Sequence, residues 1–435
     1  MVRTATGPGR GAHRRGLGER MGAGRAGFRE VVASREFRVL WLAQAQSRIG
    51  DQLARVALAL LVYDRTSSAA MTALVYALTF LPPLLTAPLL AGFADRCSRR
   101  AVMVAVDLLR AVLIGLMAVP GTPLAALMVL VLLATCPQPL FSAARNATLP
   151  RVLPDARFAV GMSVITATDG LAQIAGFTAG GLLVAATGDP RPVLAVNAAT
   201  FVLSAALLHW GIGPHRPEPS AQSGRRGFAV AGVGYVVRDR TLLGLASVMW
   251  VFGCFVVPEA LAVPYAAEIG AGEEAVGLLM AGDVIGMTVG AVAVAKTGAR
   301  WRRRLLVPLA AATGLPLMAT ALAPGVLPTV VLWAAAGCLG SYMVFAQIAF
   351  TQLVPDHVRA RAIAFASAGL QTAQGVGVML GGVLAEAVPP SLAIAVSAAA
   401  GSTAALLIGA VHRLGRVDPE VGVRLPAAQR EPVGA

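Results

Sequence analysis

The stretch "RVLPDARF", residues 151–158, returns as "QLVPDHVR" at residues 352–359, with Pro154 and Asp155 recurring as Pro355 and Asp356, 201 positions on. At the same offset "GFTAGG" (176–181) returns as "GVMLGG" (377–382), so Gly176, Gly180 and Gly181 recur as Gly377, Gly381 and Gly382 without a gap. A polar turn followed by a glycine patch, repeated at one fixed spacing, marks a chain built from two related halves. Glycine at this spacing lets helix backbones approach closely, which suits either ordinary helix packing or a surface that slides against a neighbour.

The composition says what kind of halves these are. Of the 435 residues 57% are hydrophobic, 13% are charged, and the mean hydropathy is +0.71, the profile of a membrane protein. A helix needs about 20 predominantly apolar residues to cross the hydrocarbon core. Hydropathy predicts twelve such spans: 37–62, 68–91, 101–119, 123–143, 158–186, 191–211, 241–264, 275–295, 304–323, 327–350, 360–387 and 390–412. The two glycine patches fall on spans five and eleven. Six spans separate them, and six is even, so the repeats run parallel. The expected fold class is an all-α membrane protein of twelve transmembrane helices in two parallel six-helix repeats. Its expected parts are a basic tail (1–36), a first six-helix bundle (37–211), a linker (212–240), a second bundle (241–412) and a second tail (413–435). The tails and the linker are rich in Arg, Gly or Pro and read as disordered or surface-lying.

Charge sets the expected orientation. Thirty-one of the 36 Lys and Arg residues fall in the tails and the even-to-odd loops. Arg65 and Arg191 are the ones on the other side, while Arg48, Arg55 and Arg110 lie inside spans. Both termini are therefore expected in the cytoplasm of a cell's inner membrane. The N-terminal arginines fit this rule better than a nucleic-acid patch, so no nucleic-acid partner is expected. No apolar signal-peptide core precedes the first span, and Met21 offers an alternative start. Cys97, Cys136, Cys254 and Cys338 stand singly, the five histidines are dispersed, and no G-x-x-x-x-G-K-[ST] loop occurs. No metal, cofactor, disulfide framework or ATP-hydrolysing site is expected, and the chain does not read as an enzyme.

Against this apolar background "QAQSRIGDQLAR" (44–55) stands out. Gln44, Arg48, Asp51 and Arg55 are spaced four, three and four apart and form one polar stripe on span one. Arg or Asp at a helix centre costs about 2.5 to 3.5 kcal/mol even on insertion scales, so the stripe is expected to face other helices or a wet cavity. Asp51 would then be flanked by its own arginines at i−3 and i+4. Asp169 in span five, Glu259 in span seven beside Pro258, and Asp283 in span eight are further membrane acids, each a cation or proton site or else a static structural acid. Trp250, Tyr265, Tyr342, Gln347, Gln371 and Gln374 are lesser cavity candidates.

Between spans two and three stands "AGFADRCSRR" (91–100). The pattern G-x-x-x-D-R-x-x-R-R, carried by Gly92, Asp95, Arg96, Arg99 and Arg100, resembles the loop signature of the major facilitator superfamily, and the twelve spans and the parallel repeat fit that family. The resemblance implies that Asp95 helps latch the two halves together on the cytoplasmic side. Within the superfamily, "REFRVLWLAQAQSRIGDQLARVALALLVYD" looks like the bacterial drug and siderophore exporter branch, which carries a Gly-Asp pair in helix one, here Gly50-Asp51, and an acid and an arginine early in helix three, here Asp107 and Arg110. Two features depart from it. Phe177 stands where the exporter-type helix-five motif has proline, and the helix-four arginine motif of proton antiporters is not visible.

The expected function is secondary active efflux of amphiphilic small molecules by alternating access around a midplane site. Protons are the expected coupling ion, the lipid bilayer the solvent and a monomer the working unit. A nutrient importer of the same fold, or a receptor or scaffold that transports nothing, is the alternative.

Overall fold

The computed structural model describes residues 28–80, 98–153, 156–213, 228–412 and 414. Among these the regular structure is helical, without a strand. The first half contains α1 (Arg35–Thr66), α2 (from Ala69–Ala77), α3 (Arg99–Met117), α4 (Leu124–Val152), α5 (Ala156–Thr187) and α6 (Arg191–Gly211). The second contains α7 (Arg240–Glu268), α8 (Glu273–Ala295), α9 (Ala299–Ala312, continued by Gly314–Met318 and a 3-10 turn Ala319–Leu322), α10 (Val326–Leu353), α11 (Asp356–Leu384) and α12 (Pro390–His412). Nine of these, α4 to α12, are long and apolar enough to cross a membrane. The other three have specific reasons to fall short. Arg48, Asp51 and Arg55 interrupt α1, Arg100, Asp107 and Arg110 interrupt α3, and α2 is nine residues long, the rest of the span expected over 68–91 falling from residue 81 on outside the described residues.

Local chemistry sets the helix limits. Ser34, Ser68 and Ser98 cap α1, α2 and α3, each accepting a hydrogen bond from the amide three residues on, and Asp239 caps α7 through the amides of Thr241 and Leu242. The fourth helix of each repeat is broken: α4 between Thr135 and Gln138, at Pro137, and α10 between Gly340 and Tyr342. Two short helices flank the bundles, Phe28–Ala33 and Phe228–Arg238. The second lies in the linker expected to be irregular and packs on α11. Its apolar residues are too few to span but enough to dock.

Packing repeats as the sequence does. Gly176 and Gly180 of α5 face Gln52 and Val56 of α1, while Gly377 and Gly381 of α11 face Gly253 and Val257 of α7, so the helices they press on are also offset by 201. Gly181 and Gly382 point across the divide instead. A methyl group added at Gly181 would lie 2.9 Å from the Glu273 carbonyl oxygen and the Gly277 amide nitrogen of α8. One at Gly382 would strike Ala73 of α2. The two halves thus join along α5–α8 and α2–α11, equivalent pairs under the repeat. Both joins involve the ends of α5 and α11 farthest from the chain termini. We call that side the opposite face, and the side bearing the termini the termini face.

Candidate functional site

The charges on α1 are distributed among different partners as the helix rises from the termini face. Lowest lies Asp169 of α5, whose Oδ1 accepts from Gln44 Nε2 at 2.9 Å and sits 3.6 Å from Arg48 Nε. Arg145 of α4 is close enough to interact electrostatically with both charges. This group is partly open to solvent, with the Arg48 and Asp169 side chains 37% and 30% exposed.

One turn higher, Asp51 meets Arg110 of α3 at 2.8 Å. These side chains are only 13% and 11% exposed, so the pair must be satisfied internally. Arg110 Nε donates to the Ala134 carbonyl at the break in α4, where the helix frees its last acceptors, and the guanidinium lies 4.2 Å from the Phe201 ring centroid of α6. Asp107, almost fully buried, accepts from the Ser204 hydroxyl of α6 at 2.6 Å. Gly50 makes this closeness possible, because a side chain there would collide with Asn197 and Thr200 of α6. Asp51, Arg55, Arg110, Thr79, Thr135 and Asn197 put polar groups into a largely apolar pocket inside the first half, and the fully buried Asn197 Nδ2 has no hydrogen-bond partner among the described residues.

Highest lies a group that crosses between the halves. The Arg55 guanidinium stacks 5.6 Å from the centroid of Tyr76 of α2 and 6.0 Å from that of Phe80 in the turn just past it. The Tyr76 hydroxyl donates to Oε2 of the buried Glu259 on α7. Asp283 of α8 lies within electrostatic reach of Glu259. Two helices of each half therefore contribute to one polar cluster in an apolar surround. Such a cluster can hold a proton or a cationic group and release it if the halves part.

Arg55 stays within electrostatic reach of Asp51, but the direct partners of the stripe form three separate groups. The stripe extends over eleven positions, from Gln44 to Arg55, along a helix that rises about 1.5 Å per residue, so each level meets a different neighbour. Gly92, Asp95 and Arg96 lie outside the described residues. Arg99 donates to the Ala147 carbonyl of α4, and Arg100 to the carbonyls of His209 and Ile212 at the C-terminal end of α6, so these two cations tie α3 to α4 and to the end of α6 within the first half. Phe177, where the exporter-type motif has proline, is fully buried in a continuous α5. Tyr265 bonds Thr329, Tyr342 bonds the Val248 carbonyl and Trp250 bonds the Ala366 carbonyl, all contacts within the second half. Gln347 is exposed, and Gln371 and Gln374 are half-buried.

Sequence reasoning missed Tyr76, Arg145, Asn197 and Ser204. A lone tyrosine or serine in an apolar span carries no period or spacing that distinguishes it from packing, and Arg145 reads as one more topology anchor.

A family model described as "Major Facilitator Superfamily" matches residues 40–262 and 257–433, nearly the whole membrane part in two blocks. The chain belongs to the major facilitator superfamily. Solved structures agree on the fold. A bacterial homolog of the human lysosomal transporter Spinster, in an inward-facing and unoccupied conformation, aligns with a TM-score of 0.68 at 16% identity over 87% of this chain and 96% of that one. The nucleoside transporter NupG, as its D323A mutant, aligns at 0.70 with 12% identity over 88% and 100%. A POT family transporter in complex with a thioalcohol-conjugated peptide aligns at 0.70 with 12% identity over 88% and 97%. No curated protein matches. This superfamily member is a membrane transporter of small molecules, set in a lipid bilayer. Its exposed apolar side chains, such as Leu182, Val202, Leu380 and Leu407, are what a lipid-facing surface requires.

Proposed function

We propose that this transporter is a secondary active exporter of amphiphilic small molecules, coupled to protons and working as a monomer in a cell's inner membrane with both termini cytoplasmic. Thirty-one of the 36 basic residues on the termini side support that orientation. The observation that carries the mechanism is the Arg55–Tyr76–Glu259–Asp283 cluster, which is assembled from α1 and α2 of one half and α7 and α8 of the other. Alternating access separates these helices and joins them again, so a carboxylate in the cluster changes its neighbours with each cycle. A proton held in one arrangement is released in the other, and this is what coupling demands. Asp51–Arg110 and Asp169–Arg48 carry the polar path from the cluster toward the termini face. With both termini cytoplasmic, the joining of α5–α8 and α2–α11 on the opposite face supports reading this conformation as the inward-facing arm of that cycle.

The test is transport in proteoliposomes of known orientation, with a pH gradient imposed and then collapsed, over a panel of amphiphilic dyes, antibiotics and siderophores. Glu259→Gln should abolish gradient-driven accumulation while leaving downhill exchange. Accumulation in the importing direction would overturn efflux, and gradient-independent uptake by the wild type would overturn proton coupling. A complete lack of movement across the panel would favour a receptor or scaffold.

A further inference from the structure

Two helix N-termini on the opposite face are capped by a glutamate from another helix. Glu268, last residue of α7, accepts from the Ser391 amide at 2.7 Å and its hydroxyl at 2.5 Å, closing the start of α12 within the second half. Glu386, just past the end of α11, accepts through one oxygen from the Ser68 hydroxyl at 2.6 Å and the Ala70 amide at 2.8 Å, closing the start of α2. The chemistry is the same, a carboxylate on the positive end of a helix with its first amides unpaired. The topology differs, because α2 belongs to the other half.

We propose that Glu386 is an inter-half clamp on the opposite face, capping α2 when the halves close there and letting go when they part. Four observations support this. The contact lies one turn beyond the Gly382–Ala73 approach, where the α2–α11 join leaves no room for a Cβ, so it can form only when that join is closed. Ser68 is already the cap of α2, its hydroxyl accepting from the Met71 amide at 3.1 Å, so α2 keeps a cap after Glu386 leaves and the clamp can release without unravelling the helix. Ser67 holds a left-handed backbone (φ 49°), which turns the chain sharply out of α1 and presents the Ser68 hydroxyl and the Ala70 amide on one side. Finally, the other join, α5–α8, is closed by backbone contact at Gly181 and Gly277. The clamp gives the α2–α11 side a charged, exposed contact that water can replace, which is what a reversible closure needs.

This inference rests on the transporter reading, but its test measures conformation and not transport. Nitroxide labels on cysteines replacing Val119 and Leu322, both exposed on the opposite face in different halves, report the opening there in a background lacking the native cysteines. In lipid nanodiscs, Glu386→Ala removes both hydrogen bonds and should raise the ratio of open to closed distances at least about fivefold, the change that even one hydrogen bond of typical net strength makes in an equilibrium. Glu386→Asp, one methylene shorter, should fall between the variant and the wild type. Glu268→Ala removes the matching cap inside one half, so it should lower the melting temperature and leave the distances alone. Unchanged distances in Glu386→Ala, or an equal shift in Glu268→Ala, would overturn the clamp. If the distances shift as stated while no substrate moves in proteoliposomes, the clamp stands and the transporter reading falls.

Discussion

Arg110 crosses from α3 to lie 2.8 Å from Asp51 on α1, and together they form the most enclosed ion pair among the described residues. Each charge sits in a membrane interior with little solvent, so removing one strands the other. Replacing Arg110 with Ala should lower stability by about 3–5 kcal/mol, the usual cost of breaking a buried pair. Asp51→Asn with Arg110→Gln restores neutrality and should recover most of the membrane abundance. If Asp51 serves coupling as well as neutralisation, the double variant should still lack gradient-driven export. Abundance and transport measured on the same preparations separate the two roles, and full recovery of both would leave Asp51 a purely structural acid.

Tyr76 and Glu259 meet across the divide, so their hydrogen bond belongs to one conformation more than to the protein as a whole. Tyr76→Phe leaves a buried carboxylate short of a donor at a cost of about 1–3 kcal/mol, charged against the closed arrangement. Tyr265→Phe, whose partner Thr329 lies in the same half, loses a comparable bond in both arrangements. The first variant is expected to change the open-to-closed ratio and transport. The second is expected to lower only the melting temperature. Thermal melts run beside distance measurements distinguish these, and identical behaviour of the two tyrosines would show that the cluster does not sense the conformational change.

The contrast between these residues also shows what could be read from the chain in advance. Helix number, the parallel repeat and the glycine patches follow from hydropathy and from a gapless offset, because burial in lipid constrains composition along a whole span. The partner of Asp51 does not follow. Arg110 is 59 positions away, and only the packing of α1 on α6 through Gly50 brings α3 and α1 close enough to join them. Local spacing favoured Arg48 and Arg55, and the helix carries each of those to a different level. Glu386 was equally silent, since an acid at the very end of a predicted span looks like any interfacial residue until α2 of the other half is placed beside it. The helix Phe228–Arg238 escaped because it docks on α11 without being apolar enough to span.

Neighbouring glycines on α5 should behave differently. Gly180 faces Val56 within the first half, whereas Gly181 faces the backbone of α8 in the second. Gly180→Leu should cost stability in every conformation, because it pushes α1 and α5 apart. Gly181→Leu should spare the first half and hold the opposite face open, since α5 and α8 can no longer approach. The expected reading is a lowered melting temperature for the first variant, and for the second a lengthened spin-label distance with transport slowed at least tenfold. Normal turnover of Gly181→Leu would show the contact to be passive.

The pH response of the opposite face can be worked out from Glu386, which lies outside the spans. Hydrogen bonds from the Ala70 amide and the Ser68 hydroxyl hold its carboxyl below the usual carboxylate range in the closed form. In the open form those donors are gone and the ordinary value of about 4.3 applies. A group whose value is depressed in one state favours that state most fully when deprotonated in both. The advantage is therefore intact above the ordinary value, shrinks as pH falls below it, and is lost once pH has passed below the depressed one. Distances across the opposite face should stay constant from about pH 7 to about pH 5 and lengthen as the medium is acidified further. Glu386→Gln, with nothing to titrate at that position, should remove this lengthening and start from a more open average. Other carboxylates titrate in the same range, so the difference between wild type and variant is the quantity to compare, and superimposable acid profiles would remove Glu386 from control of the closure.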